Sequence, residues 1–541
     1  MMSKRLVTWK GWESPWLTAV GVGGSAALAA AIVRWVAAFW GLGANSDGLA
    51  YLILTRSLVA WKGYGYPLPA GAIKPMTHFP PGYPLTLAAL SALGLTPENA
   101  ALVVSMVSFA ALIGFAGWAM YRVTRHVWPV VGLTAWLAVA FGTLRIYAWV
   151  LSETLFMAWL FFVGWALARW LDAPSRRRAL LVGLAAGWLV YIRWVGLVAL
   201  VWVGLVMLWA WWRRKALAWG EAALALAGGA LPPLLLMGVN HLWAGAATNR
   251  RILWHPPGAA KWRAALQTLA EWVGGAFVFP RGVPWGWGAL VLAGALAAVA
   301  VGWRWGWPRK GPRGGRFQAL LFQWGAFIGV YFVALVAAIT LADAATPMDW
   351  RLLAPLLPPA SLLIGAALWG VLRSRPRTAL AATALWAVFL LATLAADHHA
   401  FFDARWGGVA LRSFRWQQAK IWKDARALPP DALLLTNELE ATIYYTHRPA
   451  QPLVVPRLKA GRLVVVDSST KEERVLPYPD MEAWGRAVAE GLEGRCAAVV
   501  YVTLKAPENR ALEDAFRLVK REKSGLLLAP PGSEACLGLQ P

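Results

Sequence analysis

The sequence predicts an α-helical polytopic membrane protein of about eleven spans, followed by a small extracytoplasmic α/β domain. Three observations predict it. The 541 residues are 59% hydrophobic and only 15% charged, with a mean hydropathy of +0.51; a soluble chain is closer to about 25% charged. Many apolar runs exceed the roughly 18 residues needed to cross a bilayer. Beyond residue 396 the apolar runs shorten to strand length and alternate with helical stretches. The 37 tryptophans suit a chain with two membrane interfaces to anchor. A net charge of +25 would also suit nucleic acid, but the basic residues sit in short loops between spans. The expected surroundings are therefore the lipid bilayer of a cell (inner) membrane, with no nucleic-acid partner. Residues 1–16 are polar and basic and lead into a run long enough to stay as a span, so no cleavable signal peptide is expected.

Basic loops set the topology, since they mark the cytoplasmic side. Lys4, Arg5 and Lys10 place the N-terminus inside, and span one, about 17–40, leads outside. Residues 41–97 form a long outer loop, expected to carry short amphipathic helices on the membrane surface. Span two, about 98–121, returns to Arg122, Arg125 and His126; span three, about 127–147, exits. Span four, about 152–170, returns to Arg176, Arg177 and Arg178. The run 179–212 is too long for one span, and Tyr191-Ile192-Arg193-Trp194 splits it into two, landing on Arg213, Arg214 and Lys215. Span seven, about 220–243, opens a second outer loop, 244–285. Span eight, about 286–303, returns to Arg304, Arg309, Lys310, Arg313 and Arg316. Span nine, about 318–341, exits to a turn from Asp343 to Arg351; span ten returns to Arg373, Arg375 and Arg377; span eleven, about 378–396, exits. Residues 1–396 then form the membrane domain and residues 397–541 the outer one.

In the outer domain, Ala432–Leu435, Leu463–Val466, Ala497–Val502 and Leu526–Leu528 read as strands. Helices are expected at about 438–446, 481–493 and 507–522. The two cysteines, Cys496 and Cys536, exclude zinc-finger and CxxC arrangements. Each lies beside an expected strand, placed either to form a disulfide in an oxidising compartment or to stay a buried thiol.

Ionisable groups at membrane depth are costly and tend to be functional. Asp47, Lys74, His78, Glu153, Arg193, Asp349 and Arg351 come from separate outer loops or outer span ends, which a helix bundle can bring together. Asp47 ends the first span beside Gly48; it suits a turn carboxylate or a general base taking a proton from an acceptor hydroxyl. Arg351, in Asp349-Trp350-Arg351-Leu-Leu-Ala-Pro355, presents a planar fork suited to phosphate oxygens. His78, Lys74 and Arg193 are further phosphate candidates, and Glu153 a second candidate catalytic carboxylate at the start of span four. Tyr51, Arg56, Tyr83 and Asp349 would line a donor or acceptor pocket. Asp397-His398-His399 with Asp403 looks loosely like a metal cluster, but polar residues leaving a span explain it better. There is no HExxH, GxSxG, P-loop or DxD pair, so no cofactor is firmly predicted, and a divalent metal stays open without a motif to support it.

At these residues the chain resembles the polyprenyl-phosphate-dependent membrane glycosyltransferases of the GT-C fold, closest to glycosyltransferase family 39 and its bacterial relatives. These include protein O-mannosyltransferases and aminoarabinose transferases of lipid A. Asp47 with Tyr51 and Arg56 looks like the family's first-loop acidic motif, and His78-Phe79-Pro80-Pro81-Gly82-Tyr83-Pro84 like its Pro-Pro turn. Ser152-Glu153 is similar to the acidic start of its fourth span, and Arg351 to Pro355 with Pro358 to its Arg-x-x-x-Pro-x-x-Pro segment. Thr436-Asn437-Glu438 and Tyr444-Tyr445-Thr446-His447-Arg448-Pro449 look like a stretch of the bacterial soluble tails. Two departures stand out. The mannosyltransferases carry an Asp-Glu pair where Asp47 is followed by Gly48, and the aminoarabinose transferases a Lys where Thr77-His78-Phe79 stands.

The resemblance implies a GT-C-like bundle, Asp47 as the catalytic carboxylate, and inversion at the anomeric carbon. It implies a polyprenyl-phosphate-linked sugar as donor and a lipid, protein or glycan as acceptor. A lipid-linked glycan ligase or polymerase would use similar groups. A glycolipid transporter or flippase would instead show repeated halves and midplane charges, and a glycan-binding receptor would lack turnover.

Overall fold

The computed structural model describes residues 14–68, 71–214, 219–248, 252, 254–273, 284–307, 312–342, 346–373, 376–459, 462–466, 473–502, 507–522 and 525–538. Helix α1 (Pro15–Val36) starts at a Ser14 cap and α2 (Ser46–Val59) at an Asn45 cap. A hairpin of β1 (Gly65–Pro67) and β2 (Ile73–Pro75) and helix α3 (Gly82–Ala92) precede α4 (Pro97–Thr124). The bundle continues with α5 (Val127–Val139), α6 (Phe141–Tyr147), α7 (Ser152–Asp172), α8 (Arg176–Ile192), α9 (Leu197–Arg214) and α10 (Trp219–Ala244). After α11 (Ala259–Trp272) come α12 (Trp285–Val301), α13 (Pro312–Leu341), a short α14 (Trp350–Leu353), α15 (Leu357–Leu372) and α16 (Pro376–Gly407).

Among the described residues, nine helices are long and apolar enough to cross a membrane, or ten if the pair α5–α6, bent by 54°, is counted as one broken span rather than a re-entrant loop. Helix α8, of 17 residues, lies against α7 and α10 in the place of the fifth expected span. A helix therefore stands at each of the eleven expected spans; the third is broken and the fifth is short. Close packing of α8 on α10 depends on small residues. A Cβ on Gly187 would lie 2.5 Å from the Gly229 carbonyl.

Among the described residues, Arg122, Arg178 and Arg316 of three basic loops lie at the same end of the bundle. Arg122, near the end of α4, pairs with Asp172, at the end of α7, at 2.5 Å. Arg316 reaches the Arg122 carbonyl, and Arg178 bonds the Ala173 carbonyl at 2.6 Å. Helix α7, about 30 Å long at 1.5 Å per residue, separates this end from Glu153. The expected cytoplasmic anchors Lys4, Arg5, Lys10, Lys215, Arg309, Lys310 and Arg375, and Asp343 of the outer turn, lie outside the described residues.

The loop 41–97 differs from its expectation. Helix α2 is not amphipathic at a surface: every residue from Gly48 to Thr55 is buried. It packs on α3 and, from the C-terminal domain, on α19 (Leu439–Thr446), which follows α17 (Phe414–Gln417) and α18 (Lys420–Ala427). Helix α16 also runs on past residue 396, to Gly407.

The domain is built on a five-stranded sheet of order β4-β3-β8-β10-β9: β4 (Gln451–Pro452), β3 (Leu433–Thr436), β8 (Ala497–Tyr501), β10 (Gly525–Ala529) and β9 (Arg517–Glu522). Strand β3 pairs parallel with β4 and β8, while β10 pairs antiparallel with β8 and β9. Every residue of β8 and β10 is buried, as central strands covered on both faces require. Helices α20 (Met481–Glu490) and α21 (Pro507–Ala515) pack together, and a separate antiparallel sheet joins β5 (Arg457–Lys459), β6 (Arg462–Val466) and β7 (Glu473–Val475). The helix expected over 507–522 ends at Ala515. Arg517 to Glu522 forms an edge strand instead, and its charged side chains suit an exposed edge. Cys496 and Cys536 form a disulfide, with their Cα atoms 5.7 Å apart.

The Thr436-Asn437-Glu438 and Tyr444–Pro449 motifs hold α19 in place. The Asn437 side chain donates to the Val502 carbonyl at 3.1 Å and accepts from the Val502 N–H at 2.8 Å. Arg448 donates to the carbonyls of Ala425, Leu428, Pro429 and Ala432.

Candidate active site

The turn before α2 is stapled on two sides. Gly43 exchanges hydrogen bonds with the loop after α6: its N–H donates to Ala148 at 2.9 Å and its carbonyl accepts from Val150 at 2.8 Å. The Ala44 carbonyl accepts from Leu411 of the C-terminal domain at 2.9 Å. Asn45 then caps α2 by accepting from Gly48 at 3.0 Å. Asp47 is thereby held in the first turn of α2, beside the segment that leads into Ser152 and Glu153.

Four charged side chains from four parts of the chain meet here. Arg351 Nη1 lies 2.6 Å from Asp47 Oδ2, and Arg351 Nε lies 3.2 Å from Glu153 Oε1. Arg193 Nη1 lies 2.5 Å from Glu153 Oε2. The result is an alternating row, Asp47–Arg351–Glu153–Arg193, with no net charge. Side-chain exposure grades along it. Glu153 is 1% exposed, Arg193 16%, Arg351 20% and Asp47 29%. Asp47 is the acid that faces the open side.

Local structure aims each group. Asp349 caps α14 by accepting from the Arg351 N–H at 3.1 Å, which sets Arg351 on a one-turn helix. The Tyr331 hydroxyl donates to the Leu352 carbonyl at 2.8 Å and pins the same turn. Arg193 follows α8 in extended backbone. Its Nη1 also donates to Ser152 Oγ at 2.9 Å, and the Tyr51 hydroxyl lies 3.0 Å from the same oxygen. Tyr83 packs edge-on to Tyr51, with ring centres 5.2 Å apart.

The structure thus brings together Asp47, Glu153, Arg193, Arg351 and Tyr51, with Tyr83 and Asp349 in support. Three other candidates lie outside the row. Arg56 sits about 13 Å further along α2, at 1.5 Å per residue. It pairs with Glu98 at 2.7 Å and lies over the Tyr444 ring at 4.3 Å, so it ties α2 to the C-terminal domain. Lys74 is an exposed residue of β2, facing Tyr66 across the hairpin. His78 packs its ring against Phe79, and its carbonyl accepts from Trp194 at 3.1 Å.

Tyr331, Tyr66 and Glu440 were not among the sequence candidates. Tyr331 had a signal, being the single tyrosine of its span, whereas the Tyr66–Glu440 contact joins residues 374 apart. Among the described residues, no group of three or more His, Cys, Asp and Glu side chains could hold a metal ion. The Asp397 side chain lies outside the described ones; the rings of His398 and His399 lie 3.8 Å apart, tilted by 38°, in the last third of α16.

Gly48 explains one departure from the Asp-Glu pattern. A Cβ there would lie 2.8 Å from the Val150 carbonyl and 3.0 Å from the Ala44 Cβ. Gly48→Ala is expected to displace the turn that carries Asp47 and to lower turnover roughly 10–100-fold. Unchanged turnover in the reconstituted variant would show that the turn has room to spare.

No family model and no curated protein matches the chain. Solved structures do match its fold. ArnT from Cupriavidus metallidurans bound to undecaprenyl phosphate aligns with a TM-score of 0.57 at 14% identity, over 97% of this chain and 99% of that one. The apo state of ArnT gives 0.59 at 15%, over 96% and 98%. The Archaeoglobus fulgidus oligosaccharyltransferase in complex with Zn and sulfate gives 0.54 at 13%, over 94% of this chain and 73% of that one. The chain therefore has the GT-C fold that these membrane proteins share.

Proposed function

We propose that the protein transfers a sugar from a polyprenyl-phosphate carrier to an acceptor hydroxyl, with inversion, at the outer face of a cell membrane. The observation that carries this reading is the half-open Asp47 carboxylate held by Arg351 at one end of a membrane-type bundle. Its fold is also that of a structure bound to undecaprenyl phosphate. In this reading the N-terminus is cytoplasmic and the C-terminal domain extracytoplasmic, with the carrier tail lying between spans.

The step balances without a further reactant. The bond from the sugar C1 to the carrier phosphate oxygen breaks, and the phosphate keeps the electron pair. The acceptor oxygen forms the new bond to C1 from the opposite face, and its proton passes to Asp47. Arg351 uses Nη1 and Nε on the two carboxylates, which leaves its Nη2 edge for the departing phosphate. Arg193 adds positive charge behind it, and in a site partly closed to water such fixed charges act strongly on the transition state. Glu153 is too buried to meet an acceptor and serves as a positioning residue, holding both guanidiniums. Asp47 and Glu153 are paired with guanidinium cations, and no step is routed through a metal ion.

The test is release of polyprenyl phosphate by the reconstituted protein from a panel of carriers bearing different sugars, with envelope lipids and glycans as acceptors. Release with an inverted anomeric centre in the product is the expected result. Movement of the intact glycolipid across the bilayer without release would replace transfer with transport.

A further inference from the structure

The C-terminal end of α19 is fastened to the membrane domain through Arg56 of α2. Arg56 Nη1 donates to the Tyr444 carbonyl at 3.2 Å and lies 3.2 Å from His447 Nδ1. Its Nη2 pairs with Glu98 of α4 at 2.7 Å. The Tyr444 hydroxyl closes the ring by donating to the same Glu98 oxygen at 2.8 Å. Helices α2, α4 and α19 thus meet at one guanidinium. His447 is the C-cap of α19, with a φ of 58°, a left-handed place that glycine or asparagine usually takes. Histidine suits that backbone less well than either, so what the position gains is the imidazole. The residue is exposed, open to protons from solution.

Hydrogen-bond chemistry fixes the state of this ring. A guanidinium donates and never accepts. His447 Nδ1 therefore accepts from Arg56, and the ring is neutral with its proton on Nε2. A second proton would go on Nδ1. It would set N–H against N–H, and positive charge against positive charge, across the 3.2 Å contact. The surroundings resist it too. Partial burial, then Arg56 and then Arg426 of α18 hold the imidazole below the ordinary histidine range, while Glu98 works against them. Arg426 is held in place by its bond to the Tyr445 carbonyl. Arg412, just before α17, adds positive charge that reaches Tyr444 and Tyr445. Arg448, next in the chain, has Asp431 near it and spends its donors on the four carbonyls between Ala425 and Ala432. Cations outnumber carboxylates around the ring.

We propose that His447 is a proton-operated latch between the C-terminal domain and α2, closed while its ring is neutral and released by acid. Because the fold lowers the imidazole, the stability from this contact is whole above about pH 6.5, the ordinary histidine value. It is lost as the pH falls from there through the lowered value. The helix so released is the one that carries Asp47 in its first turn. The latch does not rest on the transfer reading, since it acts on the joint and not on a substrate.

The test is hydrogen–deuterium exchange of the full-length protein in lipid nanodiscs, from about pH 8 to about pH 5. It is read on peptides from α19 and the C-terminal half of α2, after correction for the intrinsic pH dependence of exchange. Opening in wild type is expected to rise on acidification, by up to about tenfold for each pH unit by which the fold lowers the ring. His447→Asn keeps an acceptor oxygen near the place of Nδ1, suits the left-handed backbone and does not titrate. Its exchange should stay low and flat over the whole range. Arg56→Met removes the facing cation, so its exchange should be raised at every pH and flat as well. A wild type without the acid rise overturns the proposal, and so does an equal rise in His447→Asn. Raised exchange of His447→Asn at every pH also overturns it, by making the ring a purely structural contact. An acid rise that survives in Arg56→Met removes the guanidinium from the device and overturns it independently of how His447→Asn folds.

Discussion

Replacing Asp47 by Asn is expected to lower sugar transfer by about 10²–10⁴-fold, the usual contribution of a positioned base. The change is close to isosteric. The amide oxygen still accepts from Arg351 Nη1, so the 2.6 Å contact seen with Asp47 has a successor. What disappears is an oxygen able to take the acceptor's proton. The loss should appear in single-turnover rate, while the donor KM stays near its wild-type value. Asp47→Glu should recover little, because one added methylene moves the carboxylate along a turn stapled at both Gly43 and Ala44. Full turnover by Asp47→Asn would remove Asp47 from the mechanism and leave the Arg351 pairing as purely structural.

The second large effect is on stability. Glu153→Ala is expected to cost about 3–5 kcal/mol, the range found when one partner of a buried ion pair is removed. The reason is geometric: Glu153 is 1% exposed and neutralises Arg193 and part of Arg351. Without it, two guanidiniums remain in a site only partly open to water with only Asp47 opposite them. The paired change Glu153→Leu with Arg193→Met should return most of the stability, since it removes one charge of each sign. It should not return turnover, because Arg351 would lose its second anchor. Denaturant unfolding in detergent, followed by tryptophan fluorescence, measures both. A Glu153→Ala protein as stable as wild type would mean that water reaches the row.

Much of the fold was legible in the sequence because a bilayer imposes a coarse rule. Long apolar runs and basic clusters are visible residue by residue, and Arg193 marked the break between α8 and α9 where the helix does end. The charged row was legible as a set of residues but not as a set of pairs. Asp47 and Arg351 are 304 residues apart, and no local pattern links them. Arg56 was read as a pocket residue because it lies near Asp47 in sequence. Along a helix, nine residues are about 13 Å, enough to move it into the contact with Tyr444. The buried character of α2 was invisible for a related reason. Part of its cover comes from α19, far away in sequence, and a helix under a distant domain looks like any apolar helix. The strand at Arg517–Glu522 was missed because its charged residues mask a weak alternation, while the helix before it ends without a glycine or proline.

The two hydrogen-bonded staples at Gly43 and Ala44 bear on how this protein can be recombined. Ala410 and Leu411, just beyond α16, hold the same short turn that the loop after α6 holds from the other side. The C-terminal domain is thus not a removable cap. A chimera that takes residues 397–541 from a distant relative would import a foreign Leu411 against a native Ala44, and Asp47 would shift with it. The turn 41–45, the linker near residue 410 and the helix bearing Glu440 should travel together in any swap, as one inherited unit written in three separate places in the chain.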